Sequence, residues 1–429
     1  MSNRLLALGR SFALGLPLVT APVLVGCAAG QSEDSATEQS AALTASPDTL
    51  NIGFGGAGIY AADDPFQFAA LSHFHAKQTV SPGASLCHRY LSWDIGTLAA
   101  GSGDPTDPTS RANFDDWLAS IDPATGQPTA TPNPCQDVLV SFKYAGDTAT
   151  RAPTDFHYLE SGCKTCFGNA FQDFLDQFTD TWASKGAGHV FSFTAWNEPN
   201  NGAGAGDGWK DHPLSAITAG QYYLMARSRC GRHPSRCKVA AGDMASNGTM
   251  IDDFQKNCAN DMAGTLCAKA SWLDAYKHFI WAHANDPAFQ LGSGFTPEYW
   301  AYHAWQEIND YNERGDDCTS DAKCATRAML TSLQGAWGNG KIWDTEVGSG
   351  QDAALSDEVQ AKGAAYILYL SSHLSDRIGR IYYQGVESGP WQLTCSPSGT
   401  TPTFKDRPSF DVLAERKTSY TGGSTKTCG

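Results

Sequence analysis

The chain has 429 residues, 41% of them hydrophobic and 17% charged, with 45 acidic against 30 basic residues for a net charge of −15. A surface of that sign repels nucleic acid and acidic polymers, and no basic stripe overrides it, so a neutral partner is expected. The length fits one large domain with long loops better than a string of small ones.

Arg4 and Arg10 precede an uncharged run, Ser11 to Gly26, that Pro17 and Pro22 interrupt and that is short for a membrane span. The pattern predicts an export signal over residues 1–26. Residues 27–48 are rich in Ser, Ala, Thr, Glu and Gln, bury too little apolar surface to offset the entropy of ordering, and are expected to form a disordered tether. Residues 49–429 then make one domain.

Thirteen cysteines are present, and setting Cys27 aside leaves an even number in a chain with an export signal. Sequential pairing predicts Cys87 with Cys135, Cys163 with Cys166, Cys230 with Cys237, Cys258 with Cys267, Cys318 with Cys324 and Cys395 with Cys428. Cys163-Lys-Thr-Cys166 is alternatively a redox or zinc half-site, but no second such pair or spaced His pair accompanies it.

From residue 50 onward short apolar runs alternate with helical stretches. Leu50 to Ile59, with Gly53, Gly55, Gly56 and Gly58, predicts a first strand whose glycines permit close approach. Leu86 to Ile95 is the second and carries Arg89 and Asp94. A loop rich in Gly, Pro, Asp and Thr follows, with a short helix near Phe114 to Ile121. Val138 to Lys143 is the third strand; Phe171, Phe174, Leu175, Phe178 and Trp182 then recur at helical spacing, a stripe that packs on a sheet.

The fourth strand, Val190 to Trp196, runs into Asn197-Glu198-Pro199 and a Gly-rich loop from Asn200 to Gly208. Its end is rigidly aimed, and the loop leaves Glu198 at an accessible lip. A helix through Tyr222, Tyr223 and Met225 leads to the fifth strand, Cys237 to Met244. A helix through Trp272, Tyr276 and Phe279 leads to the sixth, Tyr299 to Trp305, carrying Tyr302, His303 and Trp305. After a helix over Ala325 to Leu333, Gly340 to Gly348 is the seventh strand and Glu346 lies near its end. A helix over Ser356 to Ser375, the strand Arg380 to Gln384 and a closing helix with Pro408 in its first turn complete the pattern.

Eight strands with intervening helices predict a (β/α)8 barrel of the TIM type with long disulfide-tied loops. Such barrels place their active sites at the C-terminal strand ends, where Glu198 and Glu346 both fall. Two carboxyl groups facing each other across a cleft can hydrolyse a glycosidic bond.

Trp196-Asn-Glu-Pro199, Trp343-Asp-Thr-Glu-Val-Gly348 and Arg407-Pro-Ser-Phe-Asp-Val-Leu413 together resemble clan A of the glycoside hydrolases, nearest to bacterial members reminiscent of families 5 and 39. The resemblance runs from about residue 50 to about residue 415. It implies a retaining two-glutamate mechanism, with Glu198 as general acid/base and Glu346 as nucleophile, and neither metal nor cofactor. Arg89 resembles the arginine that contacts the nucleophile in that clan, or is a structural partner for Asp94. Asn197 suits a sugar 2-hydroxyl, or a strand-end hydrogen bond. His303 and Tyr302 lie where the clan often places a His or Tyr near the nucleophile. Trp305, Trp391 and Trp209 suit stacking on sugar faces, or packing.

Two departures stand out. Gln384-Gly385 occupies a place where related sequences commonly carry a Trp; either Trp391 replaces it from the loop or the subsite is altered. Asp344 replaces a more apolar residue on what reads as the face of Glu346, and needs a partner such as Lys341 or Arg89.

The expected activity is hydrolysis of a β-linked neutral poly- or oligosaccharide; the alternative is a catalytically inactive surface barrel that binds glycan. Leu24-Val25-Gly26-Cys27 resembles the lipobox of bacterial lipoproteins, which implies a lipid on Cys27 and a tether to the membrane of the bacterial cell envelope; the alternative is an ordinary signal peptide cut near Ala28 or Ala29. A monomer is expected.

Overall fold

The computed structural model describes residues 50–55, 67–79, 85–107, 110–122, 126–129, 133–143, 167–179, 190–200, 216–233, 237–246, 271–315, 318, 324–349, 355–384, 393–395 and 405–422. Two units are distinguished, Met1–Ala41 and Ala42–Gly429, and all of these residues belong to the second.

Eight parallel strands close into a barrel. They are β1 (Asn51–Gly55), β2 (Leu86–Ser92), β3 (Asp137–Lys143), β4 (Val190–Thr194), β5 (Cys237–Ala245), β6 (Tyr299–His303), β7 (Lys341–Val347) and β8 (Ile378–Gln384). Each pairs with its neighbours in sequence, and β8 returns to β1. The described helices are α1 (Gln67–Lys77), α2 (Arg111–Ala119), α3 (Phe167–Phe174), α4 (Ala216–Cys230), α5 (Trp272–His283), α6 (Trp305–Arg314), α7 (Ala325–Ser332), α8 (Asp357–His373) and α9 (Pro408–Ala414). The architecture is therefore the (β/α)8 barrel that the alternation predicts.

Local chemistry fixes the helix starts. Ser110, Ser271 and Ser356 accept from the backbone N–H three residues on, at the N-termini of α2, α5 and α8. The aromatic stripe packs as its spacing implies: Phe171 and Phe174 meet Phe193 with ring centroids 4.9 and 5.5 Å apart, and Phe174 meets Phe142 at 5.7 Å. Each such buried ring contributes about 1.5–3 kcal/mol. Trp182 lies outside the described residues.

The other strand faces fill the barrel in layers. Towards the N-terminal strand ends, Arg380 pairs with Asp137 at 2.8 Å, and Ser192 donates to the same carboxylate at 2.7 Å. Above this plug sits an apolar layer of Leu86, Leu139, Ala240, Ala301, Trp343 and Tyr382. Gly53 admits it, because a Cβ there would lie 2.6 Å from Leu86 Cβ and 2.7 Å from the Tyr382 ring. Further towards the C-terminal ends comes a polar layer, which carries the site.

Three disulfides form as sequential pairing predicts: Cys87–Cys135, Cys230–Cys237 and Cys318–Cys324. The other three pairs involve residues outside the description. Among the described residues, no helix is long and apolar enough to cross a membrane.

Two local expectations are corrected. The sixth strand ends at His303, and Trp305 begins α6 instead of completing the strand. Asp344 does not share the face of Glu346, because the β6–β7 register shifts between Tyr302/Asp344 and His303/Glu346 and inserts Thr345. Asp344 is buried and accepts from the N–H of Ala304 at 3.1 Å, while Lys341 reaches the Asp376 carbonyl.

Candidate active site

Glu198 follows β4 on a turn that only a special backbone allows. Its φ is 45°, in the left-handed region that a non-glycine residue occupies at a cost, and its N–H donates to the main-chain carbonyl of Asp243 at 2.9 Å. On one side Asn197 N–H donates to the Phe142 carbonyl at 2.8 Å. On the other, the Asn200 side chain both donates to and accepts from the backbone of Ala245, at 3.0 and 2.9 Å. The lip predicted from Asn-Glu-Pro is thus tied to β3 and β5.

Glu346 reaches the same place from β7. His303 Nδ1 lies 3.0 Å from Glu198 Oε1 and 3.4 Å from Glu346 Oε2. Tyr90 on β2 donates to Glu346 Oε2 at 2.6 Å, and Gln384 Nε2 lies 3.4 Å from the Tyr90 hydroxyl. The two glutamate side chains keep 26% and 23% exposure, which leaves both open to a ligand, while His303 is fully buried. Burial pushes the Glu346 carboxyl up; His303 opposes this, Glu198 reinforces it, and the Tyr90 hydrogen bond opposes it, leaving the carboxyl above its ordinary range.

Behind this pair stands Asp243, fully buried on β5. One carboxylate oxygen accepts from Ser141 and Thr194 at 2.7 and 2.6 Å. The other accepts from Thr345 at 2.5 Å and faces His303 Nε2 at 3.3 Å. Burial works against the Asp243 anion, but His303, His88 and Thr194 outweigh it and bring the carboxyl down to about 2. His88, whose Nε2 lies 2.7 Å from the Ser141 hydroxyl, is driven down to about 3 by burial and stays neutral.

Lys143 ends β3 with its ammonium 5.6 Å from the centre of the Tyr90 ring. Burial lowers it to about 8, against the attraction of Asp107 and Glu346.

The structure thus brings Glu198, Glu346 and His303 together. Asn197 lies beside them, buried, its Oδ1 without a hydrogen-bond partner among the described residues. Arg89 lies on the opposite face of β2 from Tyr90, donating to Asn113 Oδ1 at 2.7 Å with its guanidinium 5.0 Å from the Trp117 ring centre. Tyr302 points to the helical layer, where its hydroxyl accepts from Thr326 at 3.1 Å. Trp305 is buried at the start of α6. Trp391, Trp209 and Cys27 lie outside the described residues.

Sequence reasoning passed over Tyr90, Lys143, Asp243 and Thr345. The available signals were the alternation His88, Tyr90 on β2, and the charge of Asp243 inside an otherwise apolar run.

Single ligand atoms of Glu198, His303 and Glu346 lie within 4.8 Å of one another, a spacing that would also surround a metal ion. Nδ1 of His303 faces the two glutamates and Nε2 faces Asp243.

No protein-family model matches the chain, and no curated protein matches it. Solved structures with a similar course of the backbone include SrfJ from Salmonella typhimurium, 12% identical, covering 85% of this chain and 74% of that one with a TM-score of 0.48. A conserved exported protein from Bacteroides fragilis is 8% identical, covering 85% and 77%, with a TM-score of 0.47. An endo-beta-mannanase/endo-beta-glucanase of Prevotella bryantii is 12% identical, covering 86% of this chain but 49% of its own length, again with a TM-score of 0.47. It is the strand pairing of the chain itself that establishes the barrel.

Proposed function

We propose that the chain is a retaining glycoside hydrolase acting on a β-linked neutral poly- or oligosaccharide, with Glu198 as general acid/base and Glu346 as nucleophile. The observation that carries this reading is their separation. One carboxylate oxygen of each lies within 4.8 Å of one of the other, a closest approach in keeping with the about 5–5.5 Å between the carboxyl groups of retaining pairs.

In the first step Glu346 bonds to the anomeric carbon as the bond to the leaving oxygen breaks, and Glu198 gives that oxygen its proton. In the second, Glu198 takes a proton from water as the water oxygen displaces Glu346. Tyr90 and His303 both lie at Oε2 of Glu346, so Oε1 is the attacking atom. Asn197, next to Glu198 in the chain, is proposed to bind a sugar hydroxyl. Arg89 and Tyr302, bonded to Asn113 and Thr326, support the strands that carry the site. Trp391 is proposed as a cleft aromatic, and the buried Trp305 as packing.

Three disulfides support an oxidising compartment, and the lipobox-like Cys27 is proposed as the membrane anchor. The test is Glu346→Ala against a panel of β-glucans, xylans and mannans. Turnover of the substrate accepted by the wild type should be abolished; equal turnover would remove Glu346 as nucleophile. Glycan binding without turnover by the wild type would favour a surface barrel that binds but does not cleave.

A further inference from the structure

Asp243 touches no substrate in the proposed hydrolysis, yet it meets the candidate catalytic groups twice. Its main-chain carbonyl accepts from Glu198 N–H at 2.9 Å, and its side chain faces His303 Nε2 at 3.3 Å. It does so from a left-handed backbone, φ 72°, next to Gly242 at φ 100°, where the β5–β6 register shifts. Aspartate and asparagine tolerate this region better than most side chains.

His303 has carboxylate oxygens at both ring nitrogens, from Glu198 and Glu346 on one side and Asp243 on the other. A neutral imidazole has one donor and one lone pair, so with Glu346 ionised at Nδ1 and Asp243 ionised at Nε2 one nitrogen would oppose a negative oxygen lone pair to lone pair, whatever the state of Glu198. Two N–H groups remove that conflict. Asp243 is itself held in the acceptor state, since three hydroxyls of Ser141, Thr194 and Thr345 converge on its two oxygens.

We infer that Asp243 is a positioning residue that holds His303 as an imidazolium between Glu198 and Glu346, and through it keeps the nucleophile ionised. The kinetic part of this inference rests on the hydrolase reading; the charge state of His303 does not. Facing the ring are His88 from β2, Glu198 after β4, Asp243 on β5, and Asp344 and Glu346 on β7; Tyr90 and Lys143 adjoin Glu346, and Glu307 on α6 adjoins Asp344. Carboxyl groups outnumber cations in this shell. Burial opposes charge on His303 most strongly, but Glu346, Asp243 and Glu198 together override it and raise the imidazole well above its ordinary value.

Asp243→Asn separates charge from shape: the amide oxygen still accepts from His303, and asparagine fits the same backbone. With the charge gone, the imidazolium loses stabilisation, His303 deprotonates at lower pH, and Glu346 loses its cation. The acid limb of kcat/KM should therefore move to higher pH by at least about one unit, equivalent to tenfold in proton affinity, with KM on the plateau unchanged. Independently, selective 15N labelling of histidine, with the His303 signal assigned by its loss in His303→Asn, should show a doubly protonated ring at pH 7 in the wild type and a titrating ring in Asp243→Asn. A wild-type His303 that is singly protonated at pH 7 would overturn the inference without any activity assay. A uniform loss of activity across pH, with an unmoved acid limb, would overturn it as well. If the wild type turned over no glycan, the hydrolase reading would fail while the labelled spectrum still decided the role of Asp243.

Discussion

Replacing Tyr90 with Phe removes one oxygen from the site. The ring stays, and with it the packing on His88, at 4.4 Å between centroids, and on the Lys143 ammonium, at 5.6 Å. What goes is a 2.6 Å hydrogen bond to Glu346 Oε2. A hydroxyl donating to a carboxylate is a charge-assisted bond, and such bonds contribute about 1.5–3 kcal/mol. All of it acts on the ionised form of Glu346, because a protonated carboxyl accepts far more weakly. At about 1.4 kcal/mol per pH unit, the Glu346 carboxyl should rise by about one to two units. Under the proposed hydrolase reading the sign is fixed: a nucleophile that is harder to ionise lowers activity on the acid side and leaves it less affected where Glu346 is already ionised.

The assay is kcat/KM against pH on whichever β-glycoside the wild type turns over. Below the acid limb, Tyr90→Phe should be slower by roughly 10- to 100-fold at equal pH, and the two curves should converge as pH rises. Superimposable acid limbs would refute the reasoning, since they would mean either that Tyr90 does not hold the ionised carboxylate or that Glu346 is not the group whose ionisation starts the reaction. A loss that is equal at every pH would point to misplacement of the nucleophile instead, and would likewise remove the electrostatic account.

Two further outcomes concern stability. The Cys87–Cys135 disulfide spans 48 residues, and the chain-entropy relation gives about 4 kcal/mol for a loop of that length; Cys87→Ser/Cys135→Ser should lower the urea midpoint accordingly, and an unchanged midpoint would show that the crosslink constrains nothing in the unfolded chain. Lys143 has its amine lowered to about 8 in the folded protein from 10.5, so between those values the unfolded state binds the extra proton and stability rises with pH. Lys143→Met should therefore be more stable than the wild type at pH 7, by up to roughly 3 kcal/mol, with the difference closing by about pH 10.5; an equal difference at both pH values would show that the buried charge is not its source.

The barrel was legible because its strands are short apolar runs bounded by turn residues, and because a strand-ending acid such as Glu198 or Glu346 keeps its place whether or not the strand boundary is off by a residue. Trp305 shows the limit of that reading. Tyr299 to Trp305 is apolar and aromatic throughout, so nothing in its composition marks where strand gives way to helix; the main chain turns at Ala304, whose N–H donates to Asp344. On β2 the alternation was visible but its sense was not. Arg89 and Tyr90 are both polar-capable, and only the closed sheet decides that Tyr90 faces Glu346 while Arg89 meets Asn113 and Trp117.

Both surprises in the site trace to places where the period of two breaks. On β7 the extra residue sends Asp344 to the helical side and Thr345 to Asp243. On β5 the shift at Gly242 and Met244 does the same service for Asp243. A strict alternation through Ala240 and Gly242 would put Asp243 on the helical side with Ala241, among the apolar contacts of α5, where a lone carboxylate is costly. The glycine was the available sign: inside a strand it marks a bulge, and Gly242 at φ 100° supplies one while its N–H donates to the Tyr276 hydroxyl of α5 at 3.1 Å. A charged residue directly after a strand glycine is therefore better placed by the bulge than by counting faces, and here that places it under His303.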